Sequence, residues 1–153
     1  MYAMHAAERT TLVDSAPEAP EAPVIPLRPR GESLATITRC AQTVLRELGA
    51  GLEPLFYARA LSLQLQMTGQ HFEREAWIDF RFRGSSLGRR RVDFLFEDLA
   101  IELVSGPRIE AEDVHRMRTI IHSAGLATGM LLCFASEPLQ LRLVRSRTVS
   151  AAR

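Results

Sequence analysis

The chain has 153 residues, 46% hydrophobic and 24% charged, with a formal net charge of +1. That is room for one domain around one core, and a balance that excludes bulk attraction to nucleic acid or to an anionic membrane, so any such binding needs a local patch. All nineteen basic residues are arginine; no lysine can carry a proton or clamp a phosphate, and guanidinium groups stay protonated and cannot act as bases.

Cys40 and Cys133 lie far apart with no close-spaced metal pattern, and read as buried, reduced thiols. The longest apolar run, "GLATGMLLCFA", is too short to span a bilayer, and the N-terminus lacks the basic start and apolar core of a signal sequence. A cytoplasmic protein without a membrane partner is expected.

In chain order, residues 1–31 form a first unit. Pro17, Pro20, Pro23, Pro26 and Pro29 recur every third residue, the period of a polyproline II helix, and such a segment reads as a solvated, disordered arm. Val24, Ile25 and Leu27 give it something apolar to bury on a protein partner or on a second copy in a homo-oligomer. Residues 32–147 form the domain and 148–153 a tail. The first helix runs from Ser33, as N-cap, to a stop at Gly49, with Leu34, Ile37, Ala41, Val44, Leu45 and Leu48 on one stripe. A second opens on Pro54, where a missing N–H costs nothing, and runs to Gly69; Phe56, Ala60, Leu63 and Met67 are its expected buried stripe.

After Gly69 the period drops to two. Ile78, Phe80 and Phe82, then Val92, Phe94 and Phe96, alternate with polar residues around the turn "GSSLG", which reads as an antiparallel hairpin with one face in the core. Trp77, near the start of that ribbon, reads as a core aromatic or, alternatively, as an anchor for a partner. A third strand, "LAIELVS", precedes a helix at about 110–124 with Val114, Met117, Ile121 and Ala124 inward. "ATGMLLCFA", apolar on both faces, reads as a central or parallel strand, and "PLQLRLVR" closes the sheet. The expected fold is α/β, a mixed sheet of about five strands flanked by helices.

Several of these segments together resemble a known family. "GAGLEPLFYARAL", with Gly51 and Tyr57 at the family's spacing, the hairpin "RRRVDFLFED", the strand "AIELV" and the run "HSAGLATGMLLCFA" are similar to the GxxExxY proteins, placed within the PD-(D/E)XK nuclease superfamily. The resemblance implies an acidic pair that binds magnesium and a lysine two residues after the second acid. Asp93 and Glu102 match the acids. The lysine position holds Val104, which supplies neither charge nor hydrogen bond. The glutamate of the family pattern falls on Pro54, with Glu53 one place earlier; a later glutamine and tyrosine fall on Arg116 and Ile120. The resemblance therefore implies a catalytically degenerate nuclease fold, with Asp93 and Glu102 vestigial, no cofactor, and magnesium only if residual hydrolysis persists.

If catalysis is lost, the two acids need internal partners, because an unpaired carboxylate beside an aliphatic side chain is costly. Asp93 is then expected to pair with an arginine of its own hairpin, and Glu102 with Arg108 or a backbone amide. Two binding roles compete. Arg81, Arg83, Arg89, Arg90 and Arg91 crowd one hairpin and suit phosphates; Glu73, Glu75 and Asp79 are near enough to neutralise part of that patch. The second role is a protein-binding subunit or scaffold, presenting the arm, the hairpin or Trp77 to another protein. His115 and His122 are seven residues apart, too far for one metal.

Overall fold

A computed structural model describes residues 30–147. The expected arm contacts of Val24, Ile25 and Leu27, and the tail, lie outside these residues. The elements are α1 (Arg30–Leu48), α2 (Pro54–Met67), β1 (Glu73–Phe82), β2 (Ser85–Leu95), β3 (Leu99–Leu103), α3 (Ala111–Ala124), β4 (Thr128–Cys133) and β5 (Gln140–Arg145). They form one five-stranded sheet in the order β1-β2-β3-β4-β5. All pairings are antiparallel except β3 with β4, which run parallel and are joined across α3. The α/β architecture with a mixed five-stranded sheet is thus as the periodicity predicts.

The sheet has two covered faces. On one, α1 and α2 pack Ile37, Ala41, Leu45, Tyr57 and Leu61 against Phe94, Ile101, Met130 and Leu132. On the other, Met117, Ile120 and Ile121 of α3 cover Ala76, Ile78, Ala100 and Leu131. β4 is buried on both sides, which explains its unbroken apolar run. α3 begins with a reciprocal cap: Asp113 accepts from the Glu110 N–H at 2.9 Å, and the Glu110 side chain accepts in return from the Asp113 N–H.

Four expectations are corrected. α1 starts at Arg30, so Ser33 lies inside the helix rather than capping it; nothing in Gly31–Glu32 breaks the helix, and proline at the preceding position is compatible with a helix start. In α2 the buried stripe is Tyr57, Ala58, Leu61 and Leu65, while Phe56, Leu63 and Met67 face out, Met67 being 80% exposed. Both stripes are apolar at helical spacing, so periodicity fixes the angle between residues but not which side meets the sheet. The choice is made by Tyr57, whose hydroxyl donates to the Gly49 carbonyl at 2.6 Å and accepts from the Leu52 N–H at 2.9 Å, and whose ring stacks on Phe134 at 4.5 Å.

The hairpin turn is not "GSSLG" but the two residues Arg83 and Gly84, both left-handed at φ +48° and +81°. This two-residue geometry matches the twist of the paired strands. Leu87 is an extra residue of β2, since Phe80 faces Gly88 and Arg81 faces Ser86. Phe82, expected inward, is exposed: β2 pairs with β3 only at Phe94 and Leu95, so the distal half of the ribbon overhangs the sheet.

Candidate functional site

The two acids meet where strands part. β2 and β3 are paired at Phe94↔Ile101 and Leu95↔Ala100; one step further, the same register sets Asp93 opposite Glu102, and the ladder stops. The Leu103 N–H turns instead to the Asp93 Oδ2, at 2.8 Å. On the neighbouring strand, Glu75 has a left-handed φ of +50°. That kink reverses the alternation: Arg74 lies over the Phe94 ring at 4.6 Å and donates to the Ala58 carbonyl at 3.0 Å, on the α1–α2 side, whereas Ala76 and Ile78 pack under α3. A non-glycine residue held at positive φ is strained, and here the strain lies beside the acids.

Glu102 faces α3, on the same side as Ala100 and Val104. Its side chain is 13% exposed, with Arg90 Nη2 at 3.6 Å. Burial pushes its carboxyl above the ordinary glutamate value; Arg90 and Arg116 draw it back, while Asp93 and Asp113 oppose them. Asp93 is likewise raised, again chiefly by burial, against the Leu103 amide and the Arg74 and Arg90 charges. Arg116 is tied to Asp113 at 2.5 Å, and its Nε is buried with no partner.

Both carboxyls therefore have internal partners, with the assignment reversed from the sequence-based one. Asp93 takes a backbone amide and Glu102 takes a hairpin arginine; Arg108 pairs with Glu110. Alternation along β2 puts Arg90 on the same face as Val92, under α3, and Arg89 and Arg91 on the other, beside Trp77. Val104, at the lysine position, packs against the apolar cluster under α3. Pro54 is the first residue of α2. Among the described residues, no group of three or more His, Cys, Asp or Glu side chains converges for a metal ion.

A raised carboxyl fixes a sign. Its ionised form is disfavoured in the folded state, so stability is lowest above the folded pKa, rises as pH falls through it, and is fully relieved below the ordinary value. Glu102→Gln, which keeps an oxygen for Arg90, is expected to raise stability at pH 7 by up to about 1 kcal/mol and to flatten the pH dependence just above the ordinary glutamate range. Urea denaturation at pH 5 and 7 checks it; a loss at pH 7 means the Arg90 pair outweighs burial.

The arginines do not form one patch. Arg81 and Arg89 flank Asp79 at 3.8 and 3.7 Å, and Arg91 lies 3.8 Å from Glu75. Arg83 sits over Phe82 at the turn, 5.2 Å from the ring centroid, and Arg90 belongs to Glu102. Trp77, read as a core aromatic or as a partner anchor, is 57% exposed, with Arg89 and Arg91 at 5.9 and 5.4 Å from its ring. It lies on the opposite face of β1 from Ala76 and Ile78, its neighbours in the chain. A groove of about 610 Å³ runs beside it, between the ribbon and the end of α3, lined by Trp77, Asp79, Arg81, Leu95, Glu97 and His122. Sequence reading missed this groove, because its walls come from three elements whose side chains are individually ordinary.

No helix among the described residues is long and apolar enough to cross a membrane. A family model described as PD-(D/E)XK nuclease superfamily matches residues 32–145. A solved structure titled "Crystal structure of SSO0001" is similar at 9% identity, covering 75% of this chain and 78% of that one with a TM-score of 0.43. No curated protein matches the chain.

Proposed function

The chain belongs to the PD-(D/E)XK nuclease superfamily, and from that premise we propose that it is a catalytically silent member that works by binding another protein. The observation that carries this reading is the pair of internal partners on the two acids. Arg90 stands 3.6 Å from Glu102 and the Leu103 amide donates to Asp93, so a divalent cation has to compete with both. Magnesium binding has to displace Arg90, and the water it activates then finds a valine where an ammonium group would orient it and offset charge on the phosphate.

The outer face of the hairpin supports the protein-binding half. Two acids, Asp79 and Glu75, offset about half of the charge of Arg81, Arg83, Arg89 and Arg91, which reduces the counterion release that binding a nucleic acid would gain. An exposed tryptophan framed by arginines, beside a groove, has the composition of a protein interface centre.

The test is direct. Purified chain is incubated with plasmid and with single-stranded DNA in magnesium or manganese, and cation binding is followed by calorimetry. Neither cleavage nor heat of binding is expected at millimolar cation. Cleavage that disappears in Asp93→Ala or Glu102→Gln overturns the reading. Nucleic-acid binding through Arg81, Arg83, Arg89 and Arg91 is the rival; affinity that falls steeply with salt and is lost when Arg89 and Arg91 become alanine would establish it.

A further inference from the structure

The outward side of α2 is as apolar as its buried side. Phe56, Leu63 and Met67, continued upstream by Leu52, are all exposed and lie on one line, opposite Tyr57, Ala58, Leu61 and Leu65. A helix apolar all round is normally covered on both sides. The one charged side chain along the line is Arg59, which has no ion pair within 4.0 Å among the described residues.

We propose that the proline-rich segment of residues 18–24 of this same chain lies along that stripe, with Val24 against Leu63 and Met67 and with Glu21 at Arg59. The proposal does not rest on the hairpin reading above. Four features select this occupant. α1 and α2 are antiparallel, since Cys40 Sγ reaches the Gln64 carbonyl at 3.9 Å and Thr68 Oγ1 at 3.7 Å. Arg30, ten residues before Cys40, is therefore about 15 Å beyond the Met67 end of α2, counting roughly 1.5 Å per residue; the preceding chain leaves the domain beside that end.

The lengths also fit. At about 3.1 Å per residue, an extended proline-rich chain crosses that gap with residues 25–29. Glu21 then falls about 12 Å past Met67, which is where Arg59 lies on a helix with a rise of about 1.5 Å per residue. The pattern fits too: Glu18, Glu21, Val24 and Leu27 recur every third residue and so share one ridge of a polyproline helix, two acids toward Arg59 and two aliphatic side chains toward the Met67 end. Finally, such a segment arrives with little conformational freedom left to lose on docking.

The test is a pair of cysteines in the full chain, Val24→Cys with Leu63→Cys, oxidised under mild conditions and resolved by non-reducing electrophoresis and thiol counting. The native Cys40 and Cys133 are buried and serve as the unreacted baseline. The control pair is Val24→Cys with Leu87→Cys, on the exposed hairpin. The expected result is a monomeric species that has lost two thiols, formed at least tenfold faster than in the control, and slowed when Arg59→Glu is added. A disulfide-linked dimer that needs both cysteines also supports the contact, with the segments exchanged between copies. Equal rates in the test and control pairs overturn the proposal, as does a dimer formed by Leu63→Cys alone, which would assign the stripe to a second copy of α2.

Discussion

Gly129→Val is expected to lower the stability of the domain by about 2–4 kcal/mol, the cost of forcing a side chain into a filled core. Gly129 lies on β4 between Ala100 and Val144, directly under α3. A Cβ built there meets Met117 Cγ and Sδ at 2.4 Å and Ile121 Cγ2 at 3.1 Å. Methionine is flexible, but Met117 is fully buried and has no open space to swing into, so the helix itself has to lift from the sheet. The urea midpoint followed by circular dichroism checks this. Gly129→Ala is expected to cost less, about 1–3 kcal/mol, and to recover part of that loss when combined with Met117→Ala, a coupling of the kind seen between touching residues. An unchanged midpoint for Gly129→Val would mean that α3 does not sit where the sheet and helix place it.

Tyr57→Ala is expected to cost about 3–5 kcal/mol, the range for emptying an aromatic site in a packed core. Tyr57 joins three things: the stack on Phe134, the Gly49 carbonyl after α1, and the Leu52 amide before α2. Tyr57→Phe separates them. It keeps the ring and strands one donor and one acceptor of the α1–α2 link, and is expected to cost about 1–3 kcal/mol. The tyrosine of the sequence pattern is therefore a strut that fixes which face of α2 meets the sheet, and its role belongs to folding. Circular dichroism with urea distinguishes the two variants; equal losses would deny the ring any part in the stability.

How much was legible follows from what each signal encodes. Period-two and helical patterns located every element of the sheet, and the two-sided apolar run of β4 marked a strand covered on both faces. The face of α2 was not legible, because Phe56–Met67 and Tyr57–Leu65 have equal claims as apolar stripes, and a hydroxyl bonded to Gly49 and Leu52 decided between them. Nor was the placement of Arg74. Strict alternation puts Arg74, Ala76 and Ile78 on one side, and only the reversed backbone at Glu75 divides them between the two layers. The acids were found but their partners were exchanged: position in sequence matched Asp93 and Glu102 to each other, while the Arg90 ion pair on Glu102 and the Leu103 amide on Asp93 depend on how β2 and β3 meet across the sheet.

Trp77 is the only tryptophan in the chain, and it sits on the overhanging ribbon, outside both apolar layers. An indole already in water changes its emission little when the layers come apart, so intrinsic fluorescence would be nearly blind to global denaturation. The same wavelength would report closely on whatever settles over the ribbon, which makes the wild-type chain its own optical sensor of occupancy.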